Sequence, residues 1–169
     1  TVNRVDASQW DAPSPCEDWT GKQVLGHCIW GLMHVTSKTG ATEPPAEMAE
    51  AERSGSDPAG SWAQARDAVL AALDQKGQLG REVQGPFGPS SLDDSLPIMT
   101  MDLTVHAWDL AKATGQDPVI PAELASSAYE GIKLFGDAAR RPGVFGPEAA
   151  APEGAGPLDL MAAMAGRTV

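Results

Sequence analysis

The residues of this 169-residue chain best equipped for chemistry are its three histidines, His27, His34 and His106, together with Asp102, four places before the last of them. On a helix, positions i and i+4 differ by about 40° in direction and about 6 Å in rise, so the Asp102 carboxylate and the His106 imidazole face one point. A carboxylate oxygen and an imidazole nitrogen converging in this way make half of a site for a borderline divalent metal. The same spacing also serves a helix-stabilising contact or a solvated ion pair. The apolar company of Met101, Leu103 and Val105 argues for burial, where an aspartate needs a cation or a basic side chain as its partner.

A further ligand must come from another element, as in bundles that build sites from inward-facing residues of separate helices. His27 and His34 are the candidates, seven residues apart on one expected helix. They share a face but lie about 10.5 Å apart along the axis, too far for one ion on a straight helix. His27 sits near the start of that helix and is preferred; His34 is left to line a pocket or to stand at the surface. Gly31, one turn after His27, leaves that face bare for a ligand. Asp109, three residues after His106, can hydrogen-bond a ligating imidazole, or else stand as a solvated charge near Lys112. Trp30 and Trp108 are assigned to the core.

The elements that must position these groups are helices. Thr20 and Gln23 form a capping-box pattern, and Val24, Leu25, Cys28, Ile29, Leu32 and Val35 recur at helical spacing, predicting a helix to about Ser37. Residues 38–60 read as a loop with local helix. A second long helix is expected from Gly60 to Gln75, with Trp62, Ala65, Val69, Leu70 and Leu73 inward. The stretch REVQGPFGPSSL reads as a hairpin or extended connector, because GPFGP cannot continue a helix. A third helix is expected from Pro97, in its first turn, to Thr114, and its broad apolar stripe predicts burial on most sides. A fourth runs from Pro121 to Ala139, residues 140–157 form a Gly/Pro/Ala-rich excursion, and Pro157 to Ala165 form a last short helix. The fold class is all-α: a four-helix bundle with long connections, a hairpin-like connector and a short C-terminal extension, in one domain over residues 1–169.

Composition narrows the partners. The formal charge of -11 repels phosphate backbones and anionic headgroups, so neither nucleic acid nor a membrane surface is expected. No apolar run approaches the length of a membrane span, and the first residues lack a secretory layout, which makes a cytoplasmic location the expectation. Cys16 and Cys28 read as two reduced, partly buried thiols. Cys28 diverges from its neighbour His27 by about 100° on the helix and is not counted as a ligand.

Four stretches carry a family resemblance: DAPSPCEDWTGKQVLGH, the GPFGP connector, DLTVHAWDLAKATGQ, and VFGPEAAAPEGAGPLDLMAAMAGR. Together they resemble actinobacterial members of the DinB-like metal-binding superfamily, and in particular the N-terminal domain of mycothiol-dependent maleylpyruvate isomerase. The resemblance implies a four-helix bundle holding one divalent ion, zinc first and nickel second, with His27, Asp102 and His106 in the ligand positions. Where the isomerase has a glutamate, this chain has the shorter Asp102. Family members carry a full helix before the PSPCEDW segment, and here only twelve residues, beginning TVNRV, stand there. Either that helix is truncated in this sequence, or a second copy completes the bundle as a homodimer.

The function implied first is a metal-dependent thiol transferase or thiol-dependent isomerase, taking a low-molecular-weight thiol such as mycothiol and an electrophilic substrate. Three protein ligands leave coordination positions open, as catalytic sites do. No protein nucleophile is assigned, and the catalytic residues stay unknown. Two alternatives remain: a non-catalytic metal- or ligand-sensing module, and a metal-dependent hydrolase with His34 or Asp109 as general base.

Overall fold

The apolar spacing after Thr20 folds as expected into α1, Gly21–Lys38, and buries Val24, Leu25, Cys28, Ile29, Leu32 and Val35. The computed structural model describes residues 1–16, 18–85, 88–140 and 143–169. Glu17 in the CEDW segment, Pro86 and Phe87 in the GPFGP connector, and Arg141 and Pro142 in the 140–157 excursion lie outside the described residues. The rest is mostly helical: α2 (Glu50–Arg53), α3 (Pro58–Leu73), α4 (Leu92–Ala113), α5 (Ala122–Phe135) and α6 (Pro157–Met164) follow α1, with one two-stranded sheet. No helix among the described residues is long and apolar enough to cross a membrane.

Two units divide the chain. One holds residues Lys22–Met99 with Val2–Arg4. In it, Gly26 lets α2 approach α1: a Cβ there would overlap the carbonyl of Glu50. Ser54, fully buried at the end of α2, donates its hydroxyl to Lys22 O and Ala51 O and ties the same contact. Gly26→Ala is therefore expected to destabilise this unit by about 1–3 kcal/mol, the usual range for forcing atoms into a packed contact. Urea unfolding would measure it. Helix α3 starts where Asp57 accepts a hydrogen bond from Gly60 N, two residues before the expected position. It buries Ala65, Val69 and Ala72, whereas Leu70, expected inward, is 59% exposed because it stands about 100° from Val69. Strands β1 (Glu82–Gly85) and β2 (Gly88–Ser91) pair antiparallel from Glu82↔Ser91 to Gly85↔Gly88, which is the hairpin expected of the connector.

Helix α4 corrects the sequence reading at its start. It begins at Leu92, so Pro97 lies inside it rather than in the first turn. The ring nitrogen has no hydrogen to give the Asp93 carbonyl, and the helix forgoes that bond. What holds the early turns is capping: Ser91 Oγ accepts from Asp94 N at 3.1 Å, and Arg81 O and Leu79 O accept from Leu92 N and Asp93 N. The usable start signal was Ser91-x-x-Asp94, not the proline.

The other unit holds Thr1, Val5–Gly21 and Thr100–Val169. From Thr104 to Ala111 only Ala107 on α4 is not buried, in keeping with a central helix. Met101, Val105 and Trp108 pack with Ala125, Ala128 and Ile132 of α5 and with Met161, Ala162 and Ala165 in and after α6. Gly131 faces the Met101 thioether, where a Cβ would come within 2.9 Å of the sulfur. Helix α5 is shorter than expected and ends at Gly136, which adopts φ +52 and turns the chain into a 3-10 segment.

Candidate metal centre

Positions 102, 106 and 109 follow one face of α4, and the structure brings their side chains together. Asp102 Oδ1 stands 3.6 Å from His106 Nε2, with the His106 side chain 7% and the Asp102 side chain 27% exposed. On the far side of the ring, His106 Nδ1 lies 2.9 Å from Asp109 Oδ2. Asp109 is completely buried, and its carboxyl sits below the usual carboxylate range. Burial opposes that ionisation, but hydrogen bonds from His106 and Arg167 and the Arg167 charge outweigh it.

Arg167 supplies two of these contacts. Its Nε donates to Asp109 Oδ1 at 3.0 Å and its Nη2 to Oδ2 at 2.7 Å, a two-point fork, while Nη1 donates to Ala165 O. The end of α6 places it. Gly166 adopts φ +84, Gly166 N bonds Ala163 O, and Arg167 N bonds Ala162 O, the paired bonds of a Schellman cap. A side chain at residue 166 would also crowd Gly146 and Pro147, so glycine is required there twice over.

An ionised Asp109 can only accept, so the shared proton resides on His106 Nδ1, which leaves Nε2 as the ring atom available to ligate a cation. This nitrogen and the Asp102 oxygen lie 3.6 Å apart. Two metal bonds of about 2.1 Å at a tetrahedral angle set their donor atoms about 3.4 Å apart. Geometry and donor chemistry therefore fit a divalent cation at this pair, with Asp109 and Arg167 orienting the imidazole from behind.

The N-terminal segment adds two residues that the sequence reading did not assign to the site. A bridge between Pro13 and Thr20 closes a loop in which Ser14 N bonds Trp19 O and Trp19 N bonds Cys16 O. The indole of Trp19 stacks on His106, ring centroids 5.9 Å apart at 28°. Ligand atoms of Cys16, His106 and Asp109 lie within 4.8 Å of one another, a second group able in principle to hold a metal. Its carboxylate, however, already accepts from Arg167 and His106. The Cys16 thiol is pushed up to about 11, chiefly by burial and further by Asp109 and Asp102, with Arg167 acting in the opposite sense. It is a thiol at neutral pH, neither a ready ligand nor a nucleophile.

The remaining expected residues belong to the other unit. His27 is half-buried on α1, its ring stacked near Trp30 at 6.5 Å. His34 is half-buried one turn beyond Trp30, and burial lowers its pKa. The bare face at Gly31 is met by the thioether of Met99, 2.9 Å from where a Cβ would stand. Lys112, the alternative neighbour for Asp109, lies over the Trp108 ring instead.

The sequence profile of the mycothiol maleylpyruvate isomerase N-terminal domain matches residues 1–111. Two uncharacterized proteins of Mycobacterium tuberculosis, one from strain CDC 1551/Oshkosh and one from strain H37Rv, are each 32% identical over 179 aligned positions, covering 98% of this chain and 88% of theirs. No solved structure matches the chain. With the profile covering well over half of its length, the chain belongs to the family of the mycothiol maleylpyruvate isomerase N-terminal domain.

Proposed function

We propose that the chain is a metal-dependent enzyme of the thiol-transferase or thiol-dependent isomerase type, which takes a low-molecular-weight thiol such as mycothiol and an electrophilic substrate. The observation that carries this is the Asp102–His106 pair, a carboxylate oxygen and an imidazole nitrogen 3.6 Å apart, with the imidazole held from behind by Asp109 and Arg167. Asp102 and His106 would hold the ion, zinc first and nickel second, with His27 as the third ligand. His27 enters on its position in the sequence and on the family. Membership of that family supports a four-helix bundle formed by α1, α3, α4 and α5. A divalent ion held by these residues would supply Lewis acidity that lowers the pKa of a thiol bound beside it. Asp109 and Arg167 keep the His106 tautomer fixed, and the Trp19 ring covers one face of the imidazole against water.

A hydrolytic reading loses one of its two candidate bases. Asp109 is wholly buried and engaged on both oxygens, so it cannot take a proton from a water molecule in the site.

The test begins with metal content. Purified protein is expected to carry a divalent ion, His27→Ala to lose it and His34→Ala to keep it, as read by elemental analysis. The reverse pattern would put His34 in the ligand set. Addition of mycothiol to cobalt-substituted protein is expected to change the visible spectrum, and an electrophilic acceptor should then yield a conjugate or an isomerised product. A spectrum indifferent to thiol would remove the enzyme reading and leave a metal-sensing module.

A further inference from the structure

Arg53 and Arg167 are both almost wholly buried, their side chains 7% and 5% exposed, yet they are served very differently. Arg167 directs its Nε–Nη2 edge at Asp109 with both hydrogen bonds made. The same edge of Arg53 has no such partner. Its Nε is buried without a hydrogen bond among the described residues, and Nη2 lies 3.8 Å from Glu47, whose side chain is 87% exposed. Nη1 stands 3.5 Å from Glu50, outside hydrogen-bonding geometry.

Two further nitrogens in the same cluster share this condition. The Arg53 guanidinium lies 4.8 Å over the Trp30 ring, and the His34 ring meets Trp30 edge-on at 3.9 Å. Trp30 Nε1 and His34 Nε2 are both buried and unpartnered among the described residues. The fold has placed them deliberately: α2 can carry Arg53 onto α1 only because Gly26 has no side chain, and α1 presents Trp30 and His34 four residues apart. Buried N–H groups are ordinarily satisfied, and a concentration of unmet donors in one place calls for an acceptor.

We propose that Trp30, His34 and Arg53 form a binding site for the carboxylate group of a small molecule. A carboxylate has the planar two-oxygen edge that the Nε–Nη2 fork matches, as Asp109 does for Arg167 in this same chain. The indole N–H, which can only donate, and the His34 Nε2–H in one of its neutral tautomers supply further hydrogen bonds. The cation–π contact with the indole helps to hold the guanidinium in place. Glu47 and Glu50 already offset part of the Arg53 charge, which favours a monoanion over a phosphate dianion.

The site is proposed without reference to the metal, so its test uses chelator-treated full-length protein. Acetate is titrated at constant ionic strength while the Arg53 Nε–H and Trp30 indole N–H signals are followed by nitrogen-15 NMR. Saturable shifts with a dissociation constant of about 1–10 mM are expected, with inorganic phosphate at least several-fold weaker and chloride without effect. Arg53→Met should abolish the response of the Trp30 signal. Arg53→Lys, which retains the charge and is better suited to keep the fold, should weaken it at least about tenfold, since an ammonium lacks the fork. Absence of saturation, or an acetate response unchanged in Arg53→Lys, would overturn the proposal and leave the cluster filled by water.

Discussion

Arg167→Met is expected to lower the stability of the metal-free protein by about 3–5 kcal/mol at neutral pH, the range found when one partner of a buried ion pair is removed. The reason lies in what is left behind. Asp109 has no solvent exposure, and two of its three side-chain hydrogen bonds come from Arg167. Without them a buried carboxylate keeps only the imidazole contact against its desolvation. The loss should depend on pH with a definite sign. In the wild type the Asp109 pKa is depressed, so its contribution is complete above the unfolded value near 3.8 and is lost as pH falls through the folded one. In the variant, burial acts with far less opposition and raises that pKa, so protonation relieves the penalty as pH falls. The gap between the two proteins should therefore be widest near pH 7 and narrow steadily in acid. Denaturant unfolding at a series of pH values, with a chelator present, measures it. A gap that stayed constant or widened in acid would mean that Arg167 contributes packing against Phe145 rather than charge.

The contrast between Asp102 and Asp109 marks what the sequence could convey. Asp102 and His106 were legible because their meeting needs only a helix, and a fixed spacing on a helix fixes a direction. The same holds for the stripe of α1, whose buried residues match those expected from the repeat of Val24, Leu25, Cys28 and Ile29. Asp109 was legible as a partner of His106 for the same reason, but its other partner was not. Arg167 lies 58 residues further on, and no local rule links it to α4. No spacing rule singles out a basic residue for Asp109, and one near the far end of the chain is its anchor. Gly166 before it was a usable sign of a helix C-cap, but a cap says where a helix ends, not what the next side chain touches. Cys16 and Trp19 were missed because an irregular loop brings them to His106, and loop paths carry no periodicity. Pro97 misled for the opposite reason: a strong local rule placed it at the first turn, and capping by Ser91 with carbonyls from Leu79 and Arg81 overrode it.

Asp109→Asn should weaken divalent-metal binding by about 10–100-fold while His106→Ala abolishes it, and the first of these tests the site more sharply. Arg167 can only donate, so the amide oxygen of the new side chain must turn toward the guanidinium. The amide N–H₂ then faces His106 Nδ1 and requires it to accept. The imidazole proton moves to Nε2, where it points at Asp102, 3.6 Å away, and fills the direction a cation would use. One exchanged atom at a residue outside the ligand set thereby reverses the donor character of the ligand. The tautomer is readable without metal, from the two nitrogen-15 shifts of the His106 ring: protonated Nδ1 in the wild type, protonated Nε2 in the variant. Zinc affinity measured by chelator competition should fall in step. Should Asp109→Asn reverse the tautomer and leave the affinity untouched, Nε2 of His106 is not a ligand, and the cation would have to be sought at the Cys16 side of the ring.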